Sequence, residues 1–401
     1  MFAKLKDTVV TNKTIILRAD LNVPLKDGKI IDDNRIIATL PTIKWLLNNK
    51  AKIVLISHIG RPKGVDKNLS MKVVAGYLEN FLDEKIHFCD DCIGNEVQKT
   101  VDNAKYGSII VLENLRFYPD EEDCGEDFTR KLASLGTIYV NDAFACSHRK
   151  HASIFLLPQL VKPVAGLNLA HEIESINRIF DKSTPKEQKC AIVGGSKVST
   201  KIDIINNLSD KVNEIFIAGA MANTFLLAQG FEIGKSLAEK NLIEKAKEIM
   251  QNLKAKNVKL TLPSDVVVGN EISDNATVKN ILIKDIKSDD IIGDIGAESV
   301  ENIAKSLKNY KVVLWNGPLG AYEFAPYKNG SINLANAIAK ATEKGLISIA
   351  GGGDAVACVN LAKCGEKFSF ISTAGAAFLE YIEGKTLPGI QALEAFNRVE
   401  D

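Results

Sequence analysis

Short apolar runs alternate with amphipathic segments in the first half of the chain. Apolar residues recur at helical spacing over Leu40–Leu47 and Met71–Leu82, which predicts two helices there. Between and after these segments we predict five strands, over Thr14–Leu17, Ile53–Ile56, Ile86–Phe88, Ile109–Leu112 and Ile138–Val140. Strands that alternate with helices are typical of a parallel, doubly wound sheet.

The second half repeats this alternation. Six strands are predicted there, over Ala191–Val193, Ile215–Ile217, Lys259–Leu262, Val312–Trp315, Ile347–Ala350 and Ser369–Ile371. Leu167–Asp181 is a helical pattern without glycine and is predicted to connect the halves. A further amphipathic pattern over Pro388–Asp401 is expected to return to the first half.

The length of the chain also favours two domains. A chain of 401 residues exceeds what one hydrophobic core usually serves. We predict an α/β protein with a first domain over residues 1–166 plus 386–401, a connecting helix over 167–182, and a second domain over 183–385.

Polar side chains follow the predicted strands of the first half at their carboxyl ends, where doubly wound sheets bind ligands. A single arginine in such a loop has an alternative explanation as a surface ion pair. Taken together, the set predicts a basic pocket for a small, multiply charged anion. Its members are Arg18, Asp20, Asn22, Arg35, His58, Arg61, Arg116, His148, Arg149 and His151.

The second half carries a different anion motif, KCAIVGGSKVSTK over Lys189–Lys201. It predicts a strand, a turn at Gly194–Gly195 and a helix from Ser196, and a helix start after a glycine turn binds anions. Lys197 and Lys201 are four residues apart, so we expect them on one helix face, where they contact successive phosphates. The alternative is an exposed, solvated face. The spacing does not fit a G-x-x-x-x-G-K-[ST] phosphate loop.

Other turns in the second half suit a nucleotide. Gly351–Gly353 allows close backbone approach to phosphates, and Asp354 directly after it suits Mg²⁺, with a plain turn as the alternative. Glu323, in the segment that follows Asn316, is placed to hydrogen-bond a ribose or simply to begin a helix.

The charge balance narrows the function classes. Lys+Arg and Asp+Glu are both 50, which argues against nucleic acid as the main partner. No apolar run reaches the roughly 20 residues of a membrane span, and the first residues show no signal-peptide pattern. Seven scattered cysteines suit a reducing cytoplasm. Cys89 and Cys92, with His87 nearby, lack the second ligand pair of a structural zinc site.

The cation types are segregated along the chain. All five histidines precede residue 172, and only lysine occurs as a cation between Arg178 and Arg398. Arginine suits bidentate capture of carboxylate or phosphate, whereas lysine acts as a point charge. The two halves are therefore expected to bind different anions.

In this order the motifs LRADLNVP, SHIGRP, LENLRF, GGSKVSTK, WNGPLG and GGGD resemble those of the phosphoglycerate kinase family, over nearly the whole chain. The resemblance implies two Rossmann-like domains, each a doubly wound parallel sheet, facing across a hinge cleft. It implies 3-phosphoglycerate or 1,3-bisphosphoglycerate on the first domain and Mg²⁺ with ADP or ATP on the second. It further implies a glycolytic enzyme of the cytoplasm, and we expect a monomer.

The resemblance also implies roles for individual residues. Arg35, Lys197 and the helix start at Gly375 would act on the transferred phosphoryl group, and Asp354 would hold Mg²⁺. The glycerate would contact Asp20, Asn22, Arg35, His58, Arg61, Arg116 and Arg149. The nucleotide would contact Lys201, Asn316, Glu323, Gly352, Gly353, Asp354 and Ala355.

The chain departs from the family pattern at several small residues. GGGDA stands where GGGDT is usual, so Ala355 lacks a hydroxyl that would touch a phosphate. Ala374-Gly375-Ala376 replaces three glycines, Ala218-Gly219-Ala220-Met221 replaces GGGM, and Phe144-Ala-Cys-Ser-His148 replaces a motif ending Gly-Thr-Ala-His. None of these changes removes a charged group.

Two other function classes are weighed against this one. A dinucleotide-dependent dehydrogenase requires G-x-G-x-x-G after a strand, and no such run occurs. A catalytically weak scaffold would be favoured if Arg35, Lys197 or Asp354 were missing, and all three are present.

Overall fold

The structure is a computed structural model and describes residues 2–397. The chain divides into two compact units. The N-unit comprises the residues up to Ile173 and the segment that begins at Thr386, and the C-unit is Glu174–Lys385. Each unit contains its own six-stranded sheet.

The N-unit alternates strands and helices along the chain. The strands are β1 Thr14–Ala19, β2 Leu25–Lys26, β3 Lys29–Ile30, β4 Lys52–Ile56, β5 Ile86–Phe88, β6 Ile109–Val111, β7 Ile138–Asp142 and β8 Lys162–Ala165. The helices up to the end of this stretch are α1 Asn34–Asn48, α2 Lys72–Leu78, α3 Asn95–Asn103, α4 Pro119–Glu122, α5 Glu126–Ala133, α6 Leu157–Leu160 and α7 Leu167–Phe180.

The N-unit sheet has the order β5-β6-β4-β1-β7-β8, and all its pairings are parallel. Ile15, Leu17, Ile53 and Leu55 of its central strands are buried in one core with apolar residues of α1 and α2. All five strands predicted in the first half lie in this sheet. Strand β8 was not predicted, because its Lys-Pro start does not resemble a buried strand, and neither was the short β2–β3 hairpin.

The C-unit has nine strands and seven helices of its own. The strands are β9 Lys189–Val193, β10 Glu214–Ile217, β11 Lys259–Thr261, β12 Asp265–Gly269, β13 Val278–Leu282, β14 Ile291–Ile295, β15 Val312–Asn316, β16 Ile347–Gly351 and β17 Phe370–Ser372. The helices are α8 Ile202–Leu208, α9 Ala220–Ala228, α10 Ile243–Ala255, α11 Ala297–Ser306, α12 Asn329–Thr342, α13 Gly353–Leu361 and α14 Ala376–Ile382. The last helix, α15 Pro388–Asn397, belongs to the N-unit.

The main C-unit sheet is parallel, with the order β11-β10-β9-β15-β16-β17. This is the doubly wound order, in which strands are added first on one side of β9 and then, from β15 onwards, on its other side. In folds of this order the ligand binds at this switch point, outside the carboxyl ends of the strands. The fold class expected from the sequence, two domains with parallel doubly wound sheets, is confirmed.

A second C-unit sheet was not predicted from the sequence. Strands β12, β13 and β14 form an antiparallel sheet of three strands in the order β13-β12-β14. In β13 only Val278 and Ile281 are half-buried and the other three residues are exposed, so the strand lacks the alternation by which a strand is recognised in sequence. Val266 and Val268 of β12 are buried in a small separate core.

Helix α7 spans the unit boundary, and both of its ends are capped by sheet residues. At its start, Asp142 at the end of β7 accepts hydrogen bonds from the N–H groups of Asn168 and Leu169, at 2.8 and 3.1 Å. At its end, Lys189 at the start of β9 donates to the carbonyl oxygens of Ile179 and Asp181. Helix α7 is therefore tied to one sheet strand in each unit.

Candidate active site

The carboxyl end of β1 begins an ion-paired cluster in the N-unit. Arg35 Nη1 lies 2.6 Å from Asp20 Oδ2, and the Asp20 side chain is 11% exposed. The other Asp20 oxygen accepts the N–H of Asn22 at 3.3 Å. The Asp20 carboxylate thus fixes both the loop after β1 and the guanidinium of Arg35, which remains 35% exposed for a ligand.

Gly60 joins the loop after β4 to two other loops. Its N–H donates to Asn22 Oδ1 at 2.8 Å, and its carbonyl oxygen accepts from Arg116 Nη1 at 2.7 Å. Its φ of +65° suits glycine, and a Cβ there would lie 2.9 Å from Leu69 methyl carbons. The structure therefore brings Asn22 and Arg116 together through the backbone of the His58–Arg61 loop.

The other arginines and histidines of the pocket predicted in the N-unit differ in how far they are exposed to solvent. Arg116 is 6% exposed, and its Nε lies 3.1 Å from Glu122 Oε1. Arg149 Nε donates to His148 Nε2 at 3.1 Å. Arg61 is exposed and His58 is buried. Burial, together with the surrounding arginines, holds the pKa of His58 well below its usual range and lowers that of His151 to about 3. Both rings are therefore neutral near pH 7.

A buried network behind these residues was missed by sequence reasoning. Arg18 is 1% exposed, donates to Ser153 Oγ at 2.9 Å, and lies beside His58. Ser153 Oγ in turn donates to Glu121 Oε1 at 2.6 Å. An arginine inside an otherwise apolar strand was a signal of such a network, but its partners are distant in sequence.

In the C-unit, the segment after β9 differs from the expectation. Lys197 and Lys201 do not share a helix face: Lys197 is extended, residues 198–200 form a 3₁₀ turn, and α8 begins only after Lys201. The turn is held by Glu239, which accepts from the N–H and hydroxyl of Ser199 at 3.0 and 2.6 Å. Side-chain hydrogen bonds of this kind compete with helix formation.

Glycines are required where the loops after β9 and β15 cross. The N–H of Gly195 donates to the carbonyl oxygen of Pro318 at 3.0 Å. A Cβ at Gly194 would overlap that same oxygen, and one at Gly219 would lie 2.6 Å from the carbonyl oxygen of Gly195. The backbone therefore lines this part of the crevice without side chains.

Asn316 links Lys201 to the glycine turn after β16. Its amide donates to the carbonyl oxygen of Gly351 at 2.7 Å, and its Oδ1 accepts from Lys201 Nζ. Gly352 has a φ of +91°, and a Cβ there would lie 2.6 Å from Asn316 Nδ2. Burial lowers the pKa of Lys201, although Asp354 and Glu383 oppose the shift.

A cavity of about 320 Å³ opens beside these loops, within the C-unit. Glu323 and Asp354, both exposed, lie on its wall with Gly195, Gly219 and Gly320. Asp354 stands in the first turn of α13 and accepts from the Tyr322 hydroxyl at 3.3 Å.

Two small residues of the C-unit differ in what they can offer a ligand. Ala355 is fully buried in the core, so its methyl group is not accessible to a ligand. Gly375 has a φ of +58° and directly precedes α14, which suits glycine.

The two sets of residues suit different anions. The N-unit presents guanidinium groups that are held by acceptors such as the Asp20 carboxylate and the Gly60 carbonyl oxygen. Guanidinium groups can fork onto carboxylate or phosphate oxygens. The C-unit presents backbone N–H groups at glycine turns with ammonium groups beside them, an arrangement that binds phosphates. No helix of residues 2–397 has both the length and the apolar character needed to cross a membrane.

Comparisons with known proteins agree with this chemistry. The family described as "Phosphoglycerate kinase" matches residues 5–385. Phosphoglycerate kinase of Xanthobacter autotrophicus is 43% identical over 393 residues, 98% of this chain and 99% of that protein. The enzyme of Aquifex aeolicus is 41% identical over 394 residues, 97% and 98% of the two chains.

Solved structures give the same result. Phosphoglycerate kinase from Coxiella burnetii superposes with a TM-score of 0.92 at 37% identity, covering 99% of this chain and 100% of that one. The enzyme from Pyrococcus horikoshii gives 0.80 at 29% identity with the same coverage. Since sequence and fold agree over nearly the full length, the chain belongs to the phosphoglycerate kinase family.

Proposed function

We propose that this chain catalyses the reversible transfer of a phosphoryl group from 1,3-bisphosphoglycerate to ADP, giving 3-phosphoglycerate and ATP. Members of its family are transferases of glycolysis that use ATP and ADP. The observation that supports the proposal is that the two units gather two sets of anion-binding groups of different chemistry. One is the arginine cluster at the carboxyl edge of the N-unit sheet, and the other is the glycine and lysine crevice of the C-unit.

The N-unit would bind the glycerate. Its carboxylate and phosphate suit the guanidinium groups, of which Arg35 and Arg61 are accessible and Arg116 is fixed against Gly60. Arg35 would also reach the transferred group. The other contacts would come from Asp20, Asn22, His58 and Arg149.

The C-unit would bind the nucleotide. Lys201 and the N–H groups of Gly352, Gly353 and Ala355 would hold phosphates, because the first turn of α13 leaves its N–H groups without helical partners. Asn316 would position Lys201, and Glu323 on the cavity wall would contact the ribose. Exposed Lys197 would follow the phosphoryl group, and the N–H groups after Gly375 would add donors.

The residues present fit a magnesium ion that accompanies the nucleotide. Asp354 is an exposed carboxylate at the start of a helix, and only one of its oxygens accepts the weak 3.3 Å bond from Tyr322. Mg²⁺ typically takes one or two protein carboxylates together with substrate phosphates. When bound, it would neutralise phosphate charge; Asp354 would hold it there.

The chemistry requires little from the protein beyond positioning and charge. In the direction of ATP consumption the acceptor is a carboxylate, which is already ionised, so no general base is required. Arg35 and Lys197 would stabilise the charge on the equatorial oxygens of the moving group. The neutral state of His58 and His151 agrees with hydrogen-bonding roles in place of acid–base roles.

Direct transfer requires both substrates to meet, so we propose that binding both of them brings the two units together and excludes water. Small-angle scattering should show a fall in radius of gyration only when 3-phosphoglycerate and a nucleotide are both present. An unchanged radius with both ligands would contradict this step.

A coupled assay tests the function itself. With 3-phosphoglycerate, ATP and Mg²⁺, the chain should form ADP, and no turnover should occur when 3-phosphoglycerate is replaced by glycerol 3-phosphate, which has no carboxylate. Absence of turnover with the first substrate would refute the proposal. We further propose that the protein is a cytoplasmic monomer. Its net charge of zero also agrees with a function that does not involve nucleic acid.

A further inference from the structure

The buried guanidinium of Arg18 donates in three directions. Its Nε donates to Ser153 Oγ at 2.9 Å, its Nη1 donates to the carbonyl oxygen of Ala19, and its Nη2 lies 3.0 Å from His58 Nδ1. The residue is 1% exposed, so water does not compete for these contacts. Arg18 therefore has one orientation, which is set by the protein.

A buried carboxylate holds this orientation from behind. Glu121, 1% exposed, accepts from both the hydroxyl and the N–H of Ser153, at 2.6 and 3.0 Å. The Tyr139 hydroxyl donates to the Ser153 carbonyl oxygen at 2.6 Å. Burial alone would lower the pKa of Arg18, but neighbouring groups that include Cys146 and Glu121 raise it. The guanidinium stays charged and can only donate.

The contact with Arg18 decides which nitrogen of His58 carries the proton. A guanidinium has no acceptor, so Nδ1 of His58 must accept and must be unprotonated. A neutral ring then carries its proton on Nε2. We infer that Arg18 is a positioning residue that fixes His58 as the Nε2–H tautomer, so that His58 offers the anionic substrate a hydrogen-bond donor. The identity of that substrate rests on the proposed function.

The same donors argue against a metal ion at this place. Asp20, His58 and Cys146 are all buried, and each offers a possible ligand atom within 4.8 Å of the others. Arg18 Nη2, however, donates to His58 and lies 3.8 Å from Cys146 Sγ, and Arg35 is paired with Asp20. Cations already face all three groups, so the cluster is arranged for an anion.

The decisive measurement is the tautomer of His58 in the full-length protein. Nitrogen-15 NMR of protein labelled at histidine, assigned with His58→Gln, should show an unprotonated Nδ1 and a protonated Nε2 at pH 7. Arg18→Met keeps an apolar stem but removes the donor. The chemical shift of His58 Nδ1 should then move away from the value of an unprotonated nitrogen. Arg130→Met removes an exposed arginine of the same unit that pairs with Glu126, and it should leave the tautomer unchanged. A protonated Nδ1 in the parent protein, or no change in Arg18→Met, would overturn the inference.

A second measurement remains decisive even if Arg18→Met does not fold. A glutamine amide can place a donor near the position of Nε2, whereas an asparagine amide reaches only the position of Nδ1. The KM for 3-phosphoglycerate should rise about tenfold more in His58→Asn than in His58→Gln, since one charge-assisted hydrogen bond is lost. The reverse order would contradict the inference. If the parent protein has no kinase activity, the proposed function fails, but the tautomer measurement still decides the role of Arg18.

Discussion

The anion sites proposed for the two units are formed by different physical means. In the N-unit the proposed binding groups are side chains: Asp20 fixes Arg35 directly, and Glu121 holds Ser153, which in turn accepts from Arg18. In the C-unit the crevice is lined by backbone at Gly194, Gly219 and Gly352, where any side chain would collide with its neighbours. Under the proposed function, guanidinium geometry would match a small acid, whereas close backbone approach with ammonium groups beside it would match a polyphosphate.

The largest expected effect tests the exposed ammonium group of Lys197 in the C-unit. Lys197→Ala should lower kcat by roughly 100-fold or more with little change in either KM, because the ammonium acts on charge that develops during transfer. Steady-state kinetics with the coupled assay measures this. Lys240→Ala, which removes another exposed lysine of the same unit, is the control and should match the parent protein. Equal kcat values in the two variants would show that Lys197 has no such role.

The second prediction tests the backbone lining. Gly194→Ala should lower the free energy of unfolding by about 3 kcal/mol and raise the KM for ATP, because the new methyl overlaps the Pro318 carbonyl oxygen. Gly353→Ala lies in the same site, but its Cβ would meet no atom within 4 Å, so its stability should stay near that of the parent. Denaturant unfolding of both variants measures this difference. Equal losses of stability in the two variants would show that the close approach of Gly194 to Pro318 does not specifically require glycine.

The third prediction addresses the fixed guanidinium groups of the N-unit. Arg116→Lys cannot reproduce the planar donor set that holds Gly60, so the KM for 3-phosphoglycerate should rise about tenfold while that for ATP stays constant. Arg130→Lys changes an exposed arginine that pairs with Glu126 on the surface of the same unit, and it serves as the matched control. A rise in the KM for ATP instead would mean that the two sites are not chemically separate.

The smallest expected effect is a pH dependence that originates in the N-unit. The folded protein holds the pKa of His151 near 3, whereas an unfolded histidine titrates near 6.5. Only the unfolded chain then binds this proton as the pH falls between these values, so stability is lost on acidification. His151→Gln should lose about 1 kcal/mol less than the parent protein between pH 7 and pH 5.5. Thermal unfolding at both pH values tests this, and parallel losses would contradict it.

Much of the fold and of the site followed from local pattern. Strands buried on both faces, such as Ile53–Ile56 and Val312–Trp315, are visible as apolar runs, and parallel topology places the residues after them at one edge. The sequence therefore predicted Asp20 and Arg116 in one cluster. It did not show the contacts that link their loops, in which Gly60 donates to Asn22 and accepts from Arg116.

What the sequence did not reveal depends on contacts between distant residues. The separation between Arg18 and Ser153 is 135 residues, and no local pattern joins them. The 3₁₀ turn after Lys197 is held by Glu239, which lies 40 residues beyond Ser199, so local helix propensity was the wrong guide there. The burial of Ala355 likewise depends on the packing of α13 against the core, which a comparison of motif letters does not show.

The two-ended capping of α7 has a practical consequence for dissecting the protein. A cut between Ile173 and Glu174, where one compact unit gives way to the other, would divide a single helix and leave one cap on each piece. If the two units are expressed separately, each fragment should carry its own copy of residues 167–180. Asp142 in the first fragment and Lys189 in the second would then each cap a complete helix. The first fragment also needs α15 supplied in trans, because Gly389 donates its N–H to the Ser147 carbonyl oxygen at 2.8 Å.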